Sequence, residues 1–287
     1  MNKIISVIIV TFNNESVIEK CIRSVLNQDF PMDDLEIIIV DGMSEDNTIT
    51  IADKLLSLSN VDYKIIHNTG KILAKGWNLG IKASKGNFVV RPDAHSILDL
   101  KYLINGLKKI NENNSVVAVG GILNTKAHSY IGNFISIVLS NPVGVGPSLF
   151  RIGLKNDKIT DTVVYGIYKK EIFDSVGFFN ESLNRNQDID FHKRLKKNNL
   201  NMLTSPSLKA TYYSRANFIS FIKQSFDNGF WIGKGNGHIR HYAPFVFIIA
   251  MISLGLLSIK LFILSLCTYI ILVWFSYVVF SKIIRKK

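Results

Sequence analysis

Cysteine is scarce: 287 residues hold two, Cys21 and Cys267. They offer neither a disulfide framework nor a CxxC pair, which fits a reducing compartment. Both are expected as small core or lipid-facing residues. No G-x-x-x-x-G-K-[ST] and no G-x-S-x-G occurs, so a P-loop and a hydrolase-type serine elbow have no support. His67, His128, His192, His238 and His241 lack metal-ligand spacing with one another and are expected in surface or structural roles. Internal repeats and low-complexity stretches are absent. The opening MNKIISVIIVTFNNE lacks a small-residue cleavage site and loses its apolar run after Val10, so it reads as a strand rather than a leader. Acid is missing near the other end. Residues 244–257 and 261–280 contain no Asp or Glu, and Lys260 is the only charge between them.

What is present bounds the class. Hydrophobic residues make up 47%, close to the globular average, and the chain can build a substantial core. Formal net charge is +12, from 34 Lys and Arg against 22 Asp and Glu. Such a surplus suits nucleic acid, an anionic membrane face, a phosphate-bearing ligand or simply a solvated lysine-rich surface. No basic stretch is interleaved with aromatics and no nucleic-acid motif occurs, so a nucleic-acid partner is not expected.

Residues 4–10 and 35–40 are rich in Ile and Val, interrupted only by Ser6 and Glu36, the near-continuous apolar pattern of strands buried on both faces. Shorter strands are expected over 63–67 and 88–90. Helical spacing links Val17, Ile18, Cys21, Ile22, Val25 and Leu26, and helices are expected over 48–58, 77–83 and 101–115. This alternation predicts an α/β domain with a mostly parallel sheet and helices on both faces. Ligands gather beyond the carboxyl ends of such strands. Thr11, Asn13, Asp41, Asp93 and His95 stand at those ends and are expected to share one rim. Further on, strands are predicted over 116–123 and 163–168, a helix over 169–176, another opening in NRNQDIDFHKRLKKN (184–198) and an amphipathic helix from Phe218 to Trp231. Residues 141–162, rich in Gly and Pro, read as a loop. The apolar segments 243–281 are expected to form a membrane-anchoring helical hairpin, because the second is long enough for a hydrocarbon core of about 30 Å. Arg240 and His241 before it and Arg285, Lys286 and Lys287 after it place both ends on the cytoplasmic side.

The sequence RPDAHS sets a carboxylate and an imidazole two residues apart. On an extended or tightly turned backbone, Asp93 and His95 can both reach one cation. That donor set suits Mn²⁺ or Mg²⁺ when a diphosphate completes the shell. A surface turn would account equally for the pair taken alone. Asp41, in VDGMSEDNT, can accept from a base N–H or a ribose hydroxyl, or serve as a turn residue. Lys71, Lys75 and Asn78, in GKILAKGWNLGIKASKG, can meet phosphates or the base, or stand as ordinary surface groups.

In order along the chain, SVIIVTFNNESVIEKCIRSVLNQDFP, LEIIIVDGMSEDNT and GWNLGIKASKGNFVVRPDAHSIL resemble the family 2 glycosyltransferases of the GT-A fold. RPDAHS is similar to the RVDAHA-type motif of the succinoglycan-type exopolysaccharide enzymes. The likeness continues through DTVVYGIYKKEIFDSVGFFNESLNRNQDIDFHKRL to SFDNGFW and spans about residues 4–235.

The resemblance implies a nucleotide-diphosphate sugar donor, expected to be UDP-linked, a divalent cation and inverting transfer. It implies donor contacts from Thr11, Asn13, Glu15, Asp41, Lys75, Asn78, Arg91 and Asp93, with Asp93 and His95 as metal ligands. His95 stands where most members carry the second Asp. Gln187 replaces the Glu of a RNEDDE-like stretch, and Asp188 matches the Asp expected to act as base. As a plain helix N-terminal acid, Asp188 would instead complement the helix dipole. Asp190 is expected to cap or to pair with Arg194. Gln224 and Trp231 match part of a Gln-x-x-Arg-Trp motif and are candidates for an acceptor or sugar platform. Phe230 replaces the motif's Arg, and the membrane interface explains the aromatic pair equally well.

The domains implied are a GT-A domain over 1–240, with a nucleotide-binding half (1–100) and an acceptor half (101–240), and the hairpin. The expected acceptor is a polyprenyl-diphosphate-linked saccharide in extracellular polysaccharide, capsule or O-antigen synthesis. Membrane lipids are the expected partner, and the expected location is the inner membrane with the catalytic domain facing the cytoplasm. The competing reading is a GT-A protein that holds a nucleotide sugar without turning it over, motivated by Gln187 and His95.

Overall fold

The structure is a computed structural model describing residues 4–127, 129–214, 217–236 and 242–285. His128, His238, His241, Arg240, Lys286 and Lys287, which figured in the sequence reading, lie outside those residues. The strands, in chain order, are β1 Ile5–Thr11, β2 Leu35–Asp41, β3 Asp62–His67, β4 Phe88–Val90, β5 Ser96–Leu98, β6 Val116–Lys126, β7 Lys158–Thr160, β8 Ile167–Lys169 and β9 Asn201–Tyr213. The helices are α1 Ile18–Leu26, α2 Thr48–Ser57, α3 Leu73–Ala83, α4 Tyr102–Asn111, α5 Tyr130–Leu139, α6 Pro142–Val145, α7 Leu149–Ile152, α8 Ile172–Val176, α9 Gln187–Lys197, α10 Phe218–Trp231, α11 Ala243–Leu257 and α12 Ile259–Arg285.

The strands form one sheet in the order β3-β2-β1-β4-β8-β6-β9-β5, with β7 on β9. β3, β2, β1 and β4 run parallel, as expected of β-helix-β units. The expectation of a mostly parallel sheet holds only for that half. β8 joins antiparallel to β4 and β6, and β5 and β7 are antiparallel to β9.

β1 and β2 are buried on both faces because helices cover both. Alternation along a strand sends Ile8, Val10, Ile38 and Val40 one way and Val7, Ile9, Ile37 and Ile39 the other. The first set lies under α3, close enough that Gly76 and Gly80 take the places where side chains would strike Val10, Ile8 and Val40. The second set is just as buried. An aromatic cluster continues the core beyond β4. Phe173 stacks on Phe191 at 4.9 Å, Phe179 lies 4.7 Å from Phe191, and Trp77 lies 5.1 Å from Phe179.

The chain divides into two compact units. Unit 1 comprises residues 1–124 and 153–213 and holds most of the sheet. Unit 2 comprises residues 125–152 and 214–287 and is helical. The expected hairpin takes the form of α11 and α12, packed together through Phe247 and Tyr269 with ring centroids 4.9 Å apart. Among the described residues, however, no helix is long and apolar enough to cross a membrane. The 15 residues of α11 rise about 22 Å, short of a hydrocarbon core of about 30 Å. The expected pair of spans is therefore not supported.

Candidate active site

The parallel register sets Thr11, Asp41 and His67 side by side at the ends of β1, β2 and β3. Asp41 is buried. Its carboxylate accepts from the Ser44 hydroxyl at 2.6 Å and the Ser44 N–H at 3.0 Å, and His67 Nδ1 lies 3.8 Å from it. Gly42 lets the two loops approach closely here, since a Cβ would sit 3.3 Å from both the Thr11 carbonyl and the Phe12 Cβ, and its neighbours would have to give by a few tenths of an ångström.

The two loops beyond β1 and β2 are laced together. Asn13, at φ 49°, donates its N–H to Ser44 Oγ and accepts from the Glu45 N–H, both at 2.9 Å. Glu15 accepts from the backbone and side-chain N–H groups of Asn47 at 3.0 and 3.1 Å. Thr11 donates to Asn14 Oδ1 at 3.1 Å. Three of the expected donor contacts thus also shape the rim. Asn68, which the sequence did not single out, donates its backbone N–H to the Asp41 carbonyl at 2.7 Å. Its side chain is buried, and its Oδ1 has no partner among the described residues. Lys75 folds over Gly70, where a Cβ would stand 3.2 Å from its Nζ. Lys71 lies 5.0 Å over the Phe12 ring.

The segment after β4 turns tightly, since the Asp93 carbonyl accepts from both the N–H and the hydroxyl of Ser96. The turn leaves the Asp93 carboxylate 3.8 Å from His95 Nε2, with both side chains 40% exposed. Tyr212 braces the imidazole edge-on at 5.6 Å. A hard oxygen and an imidazole nitrogen held this close and open to solvent fit a divalent cation. Among the described residues no three His, Cys, Asp or Glu side chains gather for a metal, so a substrate and water would supply the other ligands.

Two expected donor contacts are committed elsewhere. Asn78 is buried and spends its amide on the 179–181 loop: Oδ1 accepts from the Phe179 N–H at 3.0 Å, and Nδ2 donates to the Phe179 carbonyl and Glu181 at 2.9 and 2.8 Å. Arg91 is buried with its guanidinium 3.9 Å over Trp77 and 4.6 Å from Phe179.

Asp188 lies in the first turn of α9, where its Oδ1 accepts from the Ile189 N–H at 2.9 Å. Asn186, at φ 61°, turns the chain into that helix. Asp190 pairs with Arg194 at 3.1 Å, as expected, and Arg194 also holds the carbonyls of Val176, Gly177 and Phe178. Asp188 and Arg91 both act electrostatically on the Tyr168 hydroxyl. Burial raises the pKa of that hydroxyl, Arg91 opposes the rise, and Asp188 adds to it. Unit 1 therefore holds Asp41, Asp93, His95 and Asp188. Gln224 and Trp231 belong to α10 in unit 2, and Lys234 lies 4.8 Å over the rings of Phe230 and Trp231.

Comparison with known proteins agrees with this geometry. The family model described as glycosyl transferase family 2 matches residues 6–176. A Methanococcus voltae protein named dolichyl N-acetyl-alpha-D-glucosaminyl phosphate 3-beta-D-2,3-diacetamido-2,3-dideoxy-beta-D-glucuronosyltransferase is 31% identical over 90% of this chain and 83% of its own. The poly(ribitol-phosphate) beta-N-acetylglucosaminyltransferase TarS of Staphylococcus aureus is 27% identical over 73% of this chain, which spans only 35% of that enzyme. The fold is that of solved GT-A enzymes. TarS 1–349 in complex with UDP-GlcNAc gives a TM-score of 0.56 at 18% identity over 75% of this chain and 60% of its own. GalNAc-T7 with UDP, GalNAc and Mn²⁺ gives 0.60 at 14% identity over 75% and 44%. With its ordered motifs, its sheet and these relatives in agreement, the chain belongs to glycosyl transferase family 2 and is a glycosyltransferase.

Proposed function

We propose that the protein is an inverting, metal-assisted enzyme that moves a sugar from UDP to a hydroxyl of a lipid-linked saccharide in cell-surface polysaccharide synthesis. The observation that carries this reading is the open Asp93–His95 pair, beyond the same parallel strands whose ends carry Asp41. Asp41 receives the nucleoside, and Asn68, whose N–H donates to the Asp41 carbonyl, braces that strand end from within. Asp93 and His95 would hold Mn²⁺ or Mg²⁺, which when bound supplies positive charge to the departing diphosphate. Asp188 takes the proton of the acceptor hydroxyl as its oxygen bonds to the sugar's anomeric carbon. The bond from that carbon to the diphosphate breaks on the opposite face, which inverts the centre.

The acceptor class rests on relatives and on unit 2. The Methanococcus enzyme is named for a dolichyl phosphate acceptor, and a Campylobacter jejuni relative, 35% identical over 38% of this chain, for an undecaprenol-linked one. Unit 2 exposes Phe218, Ile219, Ile222, Phe226 and Phe230 on α10 and many apolar residues of α11 and α12. A large exposed apolar surface marks an interaction site. Here we assign it to the lipid surface carrying the acceptor, on the cytoplasmic face where nucleotide sugars are supplied.

The test is transfer by the purified full chain from UDP-, GDP- and dTDP-sugars to a polyprenyl-diphosphate saccharide, with Mn²⁺ and with chelator. Asp188→Asn is expected to lose on the order of 10²- to 10⁴-fold in kcat while still binding UDP. Asp93→Ala is expected to lose its metal dependence together with its activity. Undiminished transfer by Asp188→Asn removes it as the base. UDP binding without turnover on any donor supports the holding protein instead.

A further inference from the structure

A string of polar side chains runs through the aromatic core beside the site. The Tyr168 hydroxyl lies 2.8 Å from His192 Nε2, and His192 Nδ1 lies 2.9 Å from Thr162 Oγ1. Arg91 Nη2 donates to the same Tyr168 hydroxyl at 3.5 Å. Tyr168 and His192 are fully buried and Arg91 is 5% exposed. Apolar rings enclose them: Trp77 and Phe179 against Arg91, Phe173 and Phe191 against Tyr168.

Packing alone does not call for this string. A buried cation is costly without a compensating anion. Arg91 forms no ion pair among the described residues, and its Nε has no partner. The faces of Trp77 and Phe179 offset part of that cost. Buried polar chains of this kind specify one arrangement of the groups at their ends.

Those ends are informative. Arg91 precedes Asp93 by two residues. His192 follows Asp188 by four on α9, one turn along the same side of the helix. Asp188 also lies within electrostatic reach of the Tyr168 hydroxyl in the middle of the string. The string therefore joins the segment bearing Asp93 and His95 to the helix turn bearing Asp188.

We infer that Arg91, Tyr168 and His192 are positioning residues, which hold the Asp188 carboxylate in register with the Asp93–His95 pair. The inference rests on Asp188 as the base. Arg91 can only donate, so the Tyr168 O–H is free to point at His192 Nε2. The imidazole proton then sits on Nδ1 and is given to Thr162, a tautomer assigned from this donor count. The ring of His192 is thereby held at both nitrogens. Arg91, expected from the sequence to touch the donor directly, acts instead from beneath the segment that does.

The experiment compares steady-state transfer, UDP affinity and melting temperature for the full chain and four variants. Tyr168→Phe keeps the ring and loses only the hydroxyl. Its kcat is expected to fall at least tenfold, with donor KM and UDP affinity within twofold of wild type. His192→Leu is expected to fall as far, and His192→Gln, which can still accept from Tyr168 and donate to Thr162, to recover most of the rate. Thr162→Val, a milder cut at the outer end of the string, is expected to fall about threefold and keeps the test open if a core variant fails to fold. A purely structural role would lower the melting temperature without this split and without rescue by Gln, and that result overturns the inference. Turnover by wild type that all four variants match overturns it alone. A wild type inactive on every donor removes the assignment of Asp188 and this inference with it.

Discussion

Cys21 shows how one buried atom can report on the site. Its thiol lies on α1 beneath the turn that carries Asp93 and His95 and donates to the Asp93 carbonyl at 3.4 Å. Burial, with Asp93 adding to it, pushes the thiol pKa from 9.0 up to about 12. The unfolded chain then loses this proton near pH 9 while the folded chain keeps it, so the native state binds more protons between pH 9 and 12. The stability that Cys21 contributes is whole below pH 9 and is lost as pH rises towards 12. Chemical denaturation across that range should show a fall that Cys21→Ala flattens. Native protein at pH 8 should also resist alkylation at Cys21 until it unfolds. Asp41 gives a second prediction at this scale. Asp41→Ala removes the buried carboxylate held by Ser44, and a hydrogen bond to a charged group contributes about 1.5–3 kcal/mol. UDP affinity measured by calorimetry should drop about tenfold to a hundredfold. The place of His67 beside Asp41, and of Asn68 just after it, came to light only in three dimensions, because strand register brings His67 there and no motif names either neighbour.

Among the elements, legibility followed the range of the interactions. Residues 4–10, 35–40 and 88–90 announced β1, β2 and β4 nearly to the residue, because strands buried on both faces read as near-continuous apolar runs, with Ser6 and Glu36 as the buried, mutually bonded exceptions. The amphipathic pattern from Phe218 to Trp231 likewise gave α10. The antiparallel half did not show. β9, the 13-residue strand that organises it, contains Pro206 and alternates polar with apolar residues, which in isolation reads as an edge or a loop. Residues 141–162, read as a loop, contain α6, α7 and β7, all short and held by their neighbours rather than by local propensity. The strand expected over 163–168 shrinks to β8, since Tyr165 takes a positive φ of 46° just before it. Gly121 marks how tightly β9 closes on β6, as a Cβ there would stand 2.2 Å from the Leu208 carbonyl oxygen. That neighbour is backbone and cannot swing aside. Gly121→Ala should destabilise unit 1 by about 1–3 kcal/mol, more than the gain from replacing a strand glycine, and thermal melts would register it.

At the scale of the whole chain, charge is divided as unevenly as hydrophobicity. Unit 2, residues 125–152 and 214–287, holds eleven Lys and Arg and one acid, Asp227. Of the formal +12, unit 2 therefore carries +10, and unit 1 is nearly balanced with 23 basic and 21 acidic residues. A basic surplus spread over the catalytic domain would point to donor phosphates or to nonspecific anions. Concentrated in the unit that exposes its apolar helices, it fits the lipid surface proposed above if that surface is anionic, where each Lys or Arg near the surface adds about 1 kcal/mol of attraction. Burial of apolar side chains in the interface and electrostatic attraction then act together, and only the second is screened by salt. The full chain should co-sediment with vesicles containing phosphatidylglycerol far more strongly than with purely zwitterionic ones. Raising salt should weaken the binding without abolishing it. Exchanging Phe226 and Phe230 for Ser should reduce binding to both kinds of vesicle while leaving UDP affinity in unit 1 unchanged. Equal binding to neutral and anionic vesicles would show that the apolar helices alone set the affinity, and absence of binding to either would detach unit 2 from the lipid altogether.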